Sequence, residues 1–276
     1  MLPKRKLSEL LTQATLDSKT WTVIVEGPSD QAVIGSYFEG AALRAMIYPM
    51  PSVDIDKFTP SSRGGDKGRV LQVASFLDQQ RIDRVLCVVD KDGESFHKFW
   101  LSPCCLTTDL SCVEIYPLDP DDLAGYLSRA HLVQLSTDAL AGLINTSRIA
   151  STLGWLKDQR LPGRALARID RSLEVNAQII SLDVKDWLTR SIKVAPDRES
   201  WMLLEDDLLT AEQNFTGDSR ALINVHVMDT VLRFWFRRVH GINLAEGWLE
   251  RHLRGQATFA SLSKHEFFQQ LKKRLE

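Results

Sequence analysis

Two different patterns of apolar and polar residues divide the chain near residue 130. In the first part, short β-branched runs typical of buried strands alternate with stretches whose apolar residues have helical spacing. These runs predict strands at 21–25, 45–48, 85–89 and 110–116. The helical spacing predicts helices at 29–38 and 69–80, with a polar, glycine-containing loop at 60–68 between them. Asp119, Pro120 and the acids that follow predict a further helix start.

Helical periodicity dominates beyond residue 130, in the segments 139–159, 165–175 and 227–238. The residues L-P-G-R at 161–164 and the pair Ala195-Pro196 predict breaks between helices. We therefore expect an α/β domain over residues 1–130, with a mostly parallel sheet flanked by helices, followed by a mainly α-helical subdomain over 131–276. One apolar face of this second part is predicted to be core, the alternative being a surface for a homodimer or partner: Val227, Val231, Phe234 and Trp235.

Composition indicates a globular protein with a substantial core, because the chain has 276 residues of which 44% are hydrophobic. No run approaches the roughly twenty apolar residues that span a membrane, and the first residues lack the apolar run of a signal peptide. We therefore expect a cytoplasmic protein without membrane association. Cys87 and Cys112 lie in apolar runs and are predicted to be buried rather than disulfide-bonded. A zinc site using His97, Cys104, Cys105 and Cys112 is the alternative, but its spacing matches no common zinc finger.

Basic charge is concentrated near the C-terminal end, although the net charge of the chain is −2. From residue 233 to 276 there are nine Lys and Arg against four Asp and Glu. Such a surface is either solvated or contacts phosphates. The candidate nucleic-acid contacts in this region are Arg233, Arg237, Arg238, Arg251 and Arg254.

Carboxylates follow two of the predicted strands directly. Glu26 and Asp30 come after the run V-I-V, and Asp90 and Asp92 come after the run V-L-C-V-V. Because the carboxyl ends of neighbouring parallel strands meet at one crevice, these acids are expected to lie together, with Gly27 easing the turn that brings Asp30 back. Four carboxylates in one crevice repel each other unless a cation lies between them. Mg²⁺ or Mn²⁺ is the expected cofactor, since both prefer oxygen ligands.

In chain order, E-G-x-x-D at 26–30, G-G-D-K-G at 64–68 and D-x-D at 90–92 resemble the toprim domain. The resemblance covers residues 20–130. It implies that Glu26 is a general acid/base, that Asp90 and Asp92 bind Mg²⁺, and that Asp30 serves a second metal position typical of the nuclease branch. Lys67 matches a basic residue near the phosphate. A further acid is expected, which is either Asp109 or Glu114.

The implied activity is that of a metal-dependent nuclease. Its predicted catalytic residues are Glu26, Lys67 and Asp90, and its predicted metal ligands are Glu26, Asp30, Asp90 and Asp92. Within the family, the motifs are similar to those of toprim effectors encoded beside an ATPase in bacterial anti-phage defence, in particular those of PARIS systems. That resemblance implies an ABC-type ATPase partner that holds the nuclease inactive, and RNA, with transfer RNA foremost, as the substrate.

Two other functions are compatible with the same residues. A regulatory or assembly subunit with a degenerate toprim-like site would need none of the acids for catalysis. A haloacid-dehalogenase-like phosphatase is the rival enzyme, because D-K-D-G at 90–93 is similar to that family's D-x-D-G signature. In that family the first aspartate follows the first strand of the core, whereas here a strand carrying Glu26 comes earlier, so chain order favours toprim.

Overall fold

The computed structural model describes residues 4–17, 19–55, 65–92, 103–192 and 198–276. It shows an α/β protein with parallel sheet flanked by helices. The chain forms two units, Met1–Pro117 together with Leu253–Glu276, and Leu118–His252. The predicted domain boundary after residue 130 stays a prediction. In the structure, the chain passes from the first unit to the second after Pro117 and back to the first at Leu253.

The first unit is built on a parallel sheet with the strand order β3-β2-β5-β6. Its strands are β1 (Arg5–Lys6), β2 (Trp21–Val25), β3 (Ala45–Pro49), β4 (Val53–Asp54), β5 (Val85–Val89) and β6 (Cys105–Thr107). Strands β1 and β4 form a separate short parallel pair. Its first three helices are α1 (Leu7–Leu16), α2 (Pro28–Ala41) and α3 (Gly65–Gln80). The strands predicted at 21–25, 45–48 and 85–89 and the helices predicted at 29–38 and 69–80 are confirmed.

Burial explains why these strands are continuous apolar runs. All five residues of β5 are buried, as are four of the five in β2, because helices cover both faces of a parallel sheet. A core cluster under the sheet joins β2, β5, α1 and α3 through residues that include Leu10, Ile24, Val73, Leu77 and Cys87. Cys87 and Cys112 are buried, and the four cysteines, all within the described residues, form no disulfide among them. His97 lies outside the described residues.

The prediction of a strand at 110–116 is wrong. This segment is a turn followed by a 3-10 helix at Val113–Ile115, and the strand of this region is β6. Side-chain hydrogen bonds compete here with a strand ladder. The Tyr116 hydroxyl accepts the backbone N–H of Asp109 at 3.0 Å, and the Thr108 hydroxyl donates to the Leu110 carbonyl at 2.8 Å. The apolar residues are buried by folding inward rather than by joining the sheet.

The loop predicted at 60–68 is wrong for its described part, because residues 65–68 form the first turn of α3. Asp66 is in this turn and bonds Arg69 at 2.9 Å, an i,i+3 pair that stabilises a helix N-terminus. Residues 60–64 lie outside the described part of the chain, as does the predicted break at Ala195-Pro196.

Three short helices end the chain: α9 (Trp248–Gln256), α10 (Phe259–Leu262) and α11 (Glu266–Leu275). From Leu253 onward they belong to the first unit, where α10 and α11 contact α2. The Tyr37 ring lies 4.8 Å from the ring of Phe268, and its hydroxyl donates to the Phe268 carbonyl at 3.0 Å. The chain thus returns to α2, the helix that carries Asp30, more than two hundred residues later.

The second unit is mainly helical. Its elements are α4 (Pro120–His131), α5 (Thr137–Arg160), β7 (Leu173–Asn176), β8 (Ile179–Leu182), α6 (Val184–Ile192), α7 (Arg198–Asn214) and α8 (Val225–His240). The helices predicted at 139–159 and 227–238 and the break at 161–164 are confirmed. Val231, Phe234 and Trp235 are buried in this unit, as predicted for core residues, and Val227 packs against its core. None of the described helices has the length and apolar character that a membrane crossing needs.

The helix predicted at 165–175 is wrong, because this segment is irregular up to a 3-10 turn at Ile169–Arg171 and then enters the antiparallel β7-β8 hairpin. Tertiary hydrogen bonds hold it out of a helix. The Ala167 N–H donates to Ser191 at 2.9 Å, and the Ala167 carbonyl accepts the Trp187 indole N–H at 2.8 Å. The hairpin turn, Ala177-Gln178, has φ of 48° and 69°, which Asn and Gly usually adopt.

Candidate metal centre

The carboxyl ends of β2 and β5 form the place where the acids meet. Thr22 pairs with Val85 and Ile24 with Cys87, so the two strands are neighbours in register. From β2 the chain passes to β3 on one side and then crosses to β5 on the other, which creates a topological switch point. Glu26 follows β2 directly, and its Oε1 accepts the backbone N–H of the residue after β5, Asp90, at 2.7 Å. The convergence predicted from the strand ends is therefore present for this pair.

Helix α2 brings Asp30 to the same place. Pro28 is its first residue, and Asp30 in the first turn accepts the Gly27 N–H at 2.8 Å, which stabilises the helix start. Asp30 is 4% exposed. The role expected for Gly27 is wrong, because its φ of −137° is ordinary extended backbone. Among the described residues, a Cβ on Gly27 would meet Asp30 alone, at 3.8 Å.

Glu114 completes a cluster of three carboxylates. Oxygen atoms of Asp30, Asp90 and Glu114 all lie within 4.8 Å of one another. The 3-10 turn that carries Glu114 is held in place because Oδ1 of Asp90 accepts the Val113 N–H at 2.9 Å. Asp109, the other candidate for the further acid, instead accepts a hydrogen bond from the Tyr116 hydroxyl. In the described part of the chain, Glu114 is the acid that joins Asp30 and Asp90.

Asp92 and Lys67 form an ion pair beside this cluster. Asp92 has a φ of 51°, a left-handed conformation that Asp tolerates, and its N–H donates to the Ser111 carbonyl at 2.7 Å. The turn places Oδ2 of Asp92 at 3.0 Å from Nζ of Lys67. Lys67 comes from the first turn of α3, and its side chain is 16% exposed. The ammonium of Lys67 therefore lies beside Asp92, and its expected role near a phosphate stays a prediction.

The electrostatics of the site favour protonated carboxyls in the absence of a cation. Burial raises the pKa of Glu26 to about 7, and the charges of Asp92 and Glu114 act in the same direction. Burial and the charge of Glu114 raise the pKa of Asp30 to about 8. The pKa of Asp90 lies well above its ordinary value for the same reasons. Desolvated like charges that lack enough counter-charge produce this pattern, and a bound cation reverses it.

The donor set fits a hard divalent cation. All three members of the cluster offer carboxylate oxygen, the preferred ligand of Mg²⁺ and Mn²⁺. Octahedral ligands about 2.1 Å from Mg²⁺ lie about 3 to 4 Å apart. The oxygen atoms of this cluster lie within 4.8 Å of one another. Asp30, Asp90 and Glu114 would hold the ion, with Glu26 and Asp92 next to it. The prediction of a metal site is thus supported at the level of a carboxylate cluster that could hold an ion.

The predicted nucleic-acid contacts lie in different places. Arg233, Arg237 and Arg238 are on α8, and Arg251 is an exposed residue of α9. Arg254 contacts the first turn of α2, because its Nη1 donates to the hydroxyl of Ser29 at 2.9 Å. The charge of Arg254 makes it a candidate contact, but no sequence signal predicts that it contacts Ser29 at the start of α2, because 225 positions separate the two residues.

Comparison with models of protein families and with curated proteins finds no match to this chain in either set. The toprim resemblance therefore rests on the chain's own motifs and their order. The geometry adds that the acids of two of those motifs lie at one switch point.

Proposed function

We propose that the chain is a metal-dependent phosphodiesterase of the toprim nuclease type. The observation that carries this proposal is the cluster of Asp30, Asp90 and Glu114 within 4.8 Å at the carboxyl ends of adjacent parallel strands. A buried carboxylate cluster has a free-energy cost that a structural role does not repay. Hydrolysis of a phosphodiester is a chemistry that uses such a site, and Lys67, which pairs with Asp92, would bind a phosphate oxygen.

Different side chains bind the metal, transfer a proton and orient the phosphate in the proposed reaction. Asp30, Asp90 and Glu114 hold Mg²⁺ or Mn²⁺, which when bound supplies Lewis-acid stabilisation of charge on the phosphate. Glu26 accepts the Asp90 N–H through Oε1 and is the proposed general acid/base, which takes up and releases a proton during the reaction. Lys67 pairs with Asp92 and lies where it can also orient a phosphate.

The decisive experiment compares the two acids that the motif left open. Purified protein is incubated with a labelled transfer RNA and with a single-stranded DNA, in the presence of Mg²⁺ or Mn²⁺. We expect Glu114→Gln to lower the cleavage rate at least roughly a hundredfold, because the ion loses a charged ligand, while Asp109→Asn stays near wild type. Equal activity of Glu114→Gln and wild type would contradict the proposed centre. A protein without metal-dependent cleavage of either substrate would favour the regulatory or assembly subunit.

The role in anti-phage defence is a further part of the proposal and rests on the motifs that resemble toprim effectors. In that role the nuclease is toxic to its own cell, and an ABC-type ATPase partner keeps it inactive until a phage trigger releases it. Expression of the wild-type chain without its partner should then stop growth and produce breaks in cellular RNA, transfer RNA foremost. Glu26→Ala should remove both effects. Harmless expression of a wild type that cleaves RNA in vitro would contradict the toxic role and leave the nuclease proposal standing.

A further inference from the structure

The last turn of α9 contacts the first turn of α2 through one hydrogen bond between side chains. Nη1 of Arg254 donates to the hydroxyl of Ser29 at 2.9 Å, and both residues are partly buried. Both belong to the first unit, to which the chain returns at Leu253. Ser29 directly precedes Asp30, so the bond acts on the turn of α2 that carries a member of the acidic cluster.

This turn needs support, because the first turn of a helix frays more easily than its middle. The Gly27 N–H donates to Asp30 at 2.8 Å, and the Gln31 N–H donates to the Gly27 carbonyl at 3.2 Å. Pro28, the first residue of the helix, has no N–H to contribute. A hydrogen bond from outside the helix therefore adds to the contacts that hold Asp30 in place.

The helices that follow α9 contact α2 further along its length. The Tyr37 ring lies 5.3 Å from the ring of Phe259 in α10 and 4.8 Å from the ring of Phe268 in α11. Tyr37 is about two helical turns beyond Asp30. Arg254 extends the packing of this C-terminal segment to the first turn of α2.

We infer that Arg254 is a positioning residue of the metal centre. Its hydrogen bond to Ser29 holds the first turn of α2, and with it the Asp30 carboxylate, in the arrangement that binds the ion. Groups that orient metal ligands from outside the ligand shell commonly change metal affinity roughly tenfold or more. The inference rests on the proposed function in taking the cluster to be a metal site. It gives Arg254 a different role from the nucleic-acid contact expected from its charge.

Hydrogen exchange in the metal-free, full-length protein is the first test, because it depends neither on the ion nor on cleavage. The Gly27 amide reports directly on Asp30, which accepts it. Arg254→Met and Ser29→Ala should each raise the exchange rate of this amide roughly tenfold, since each removes the same charge-assisted hydrogen bond.

Two control variants should leave this exchange rate near that of the wild type. Ser36→Ala removes a partly buried hydroxyl two turns further along α2. Lys264→Met removes a positive charge from an exposed position of the same C-terminal segment as Arg254. If Arg254→Met does not fold, as judged by its thermal transition, Ser29→Ala decides.

A Mn²⁺ titration without substrate is the second test. Arg254→Met and Ser29→Ala should each weaken binding roughly tenfold, and the double variant should bind no more weakly than either, because both changes remove one bond. The sign separates positioning from charge, since loss of a nearby positive charge would by itself tighten the binding of a cation. Arg254→Lys, which can still donate to the hydroxyl, should recover part of the affinity.

Unchanged Gly27 exchange and unchanged Mn²⁺ affinity in both variants would overturn the inference, and so would additive losses in the double variant. If those readouts are unchanged while Arg254→Met raises the KM for RNA cleavage, Arg254 contacts nucleic acid instead. The expected losses in a protein that cleaves neither RNA nor DNA would support the positioning role and contradict the nuclease proposal. A wild type that binds no Mn²⁺ would overturn both.

Discussion

At the residue scale, protons and a metal ion would compete for the buried carboxyls of the acidic cluster. Glu26, Asp30 and Asp90 have raised pKa values because burial disfavours their charged forms. The folded state therefore holds protons near neutral pH that the unfolded state releases. A divalent cation that binds the cluster would have to displace those protons, so we expect its affinity to rise with pH.

The first prediction is a stability that falls with rising pH in the absence of metal. The folded pKa values of Glu26 and Asp30, about 7 and about 8, exceed the ordinary values of 4.5 and 3.8, so their stabilisation is complete below pH 4 and is lost as pH rises toward 8. The slope reaches about 1.4 kcal/mol per pH unit for each retained proton. Urea unfolding in a chelator across this range measures it.

Asp30→Asn should flatten this dependence, since the amide does not titrate and still accepts the Gly27 N–H. Glu39→Gln, an exposed change on the same helix, controls for net charge. Saturating Mn²⁺ should restore stability at pH 8 in the wild type and not in Asp30→Asn. A stability that rises between pH 5 and pH 8 in a chelator would contradict the described cluster.

The second prediction concerns Lys67, whose ammonium lies 3.0 Å from Asp92. Lys67→Met should lower cleavage roughly a hundredfold, if the ammonium orients the phosphate, and should leave Mn²⁺ binding intact or tighter because a competing cation is removed. Lys91→Met is the matched control, since this lysine lies between Asp90 and Asp92 in sequence but its ammonium contacts the Asp109 carbonyl. Cleavage rates and Mn²⁺ titrations of both variants separate the two effects.

Much of the site could be predicted from single residues, because strand ends converge at one edge of a sheet. Glu26 and Asp90 follow short β-branched runs that predict buried strands, and their contact follows from the pairing of those strands. The choice between Asp109 and Glu114 could not be predicted. It depends on a turn held by the Tyr116 hydroxyl and by the Val113 N–H, and neither group has a periodic signal.

At the element scale, α2 is the helix on which both the site and the packing depend. Its first turn carries Asp30, and its later turns contact α10 and α11. A Cβ at Gly40 would lie 2.3 Å from Cβ of Phe259, so the glycine allows the close approach of α10. Elsewhere on the helix, a Cβ at Gly35 would meet only Cδ1 of Ile47, at 3.8 Å.

The third prediction uses this pair of glycines. Gly40→Ala should lower the free energy of unfolding by about 1 to 3 kcal/mol, because the clash is with Cβ and α10 must move away. Gly35→Ala, on the same helix, should raise it by up to about 1 kcal/mol through helix propensity. Chemical unfolding of the two variants gives the comparison, and a neutral Gly40→Ala would show that α10 does not pack here as described.

The elements that sequence reasoning missed are those whose conformation is set by distant partners. Apolar spacing predicts both the strand at 110–116 and the helix at 165–175, and in each a hydrogen bond to a residue outside the segment, from Val113 to Asp90 and from Trp187 to Ala167, overrides that spacing. The β7-β8 hairpin gave no turn signal because Ala177 and Gln178 occupy left-handed positions without glycine or asparagine. Regular helices and buried strands were predictable because their spacing and their burial agree.

At the scale of the whole molecule, the first unit is assembled from two distant parts of the chain. Leu253–Glu276 belongs with Met1–Pro117, and it contributes fully buried side chains such as Phe268 and Leu271. No composition shift marks this return, so a division of the chain from sequence treats everything after residue 130 as one piece. Amphipathic helices predict that a face is buried but not which neighbour buries it.

The fourth prediction tests the packing of α11 on α2. Phe268→Ala should lower the free energy of unfolding by about 3 to 5 kcal/mol, because it empties a fully buried position that packs on Tyr37. It should also weaken Mn²⁺ binding, since α2 carries both Tyr37 and Asp30. Lys273→Ala, an exposed change on the same helix, should do neither. Thermal melts with and without Mn²⁺ measure both effects, and unchanged metal binding in a destabilised Phe268→Ala would separate the site from the C-terminal helices.

Because α11 packs on α2, the first unit cannot be completed until α11 has been synthesised. The segment with Glu26, Asp90 and Glu114 emerges from the ribosome early. The whole of Leu118–His252 is then synthesised before Phe268 emerges and packs on Tyr37. Chains elongate at about 5 to 20 residues per second, so the core of the first unit stays incomplete for many seconds after the acids have been synthesised. If, as we propose, the finished centre cleaves cellular RNA, and if it needs α11 packed on α2, this delay would keep the nascent chain inactive while it is still on the ribosome.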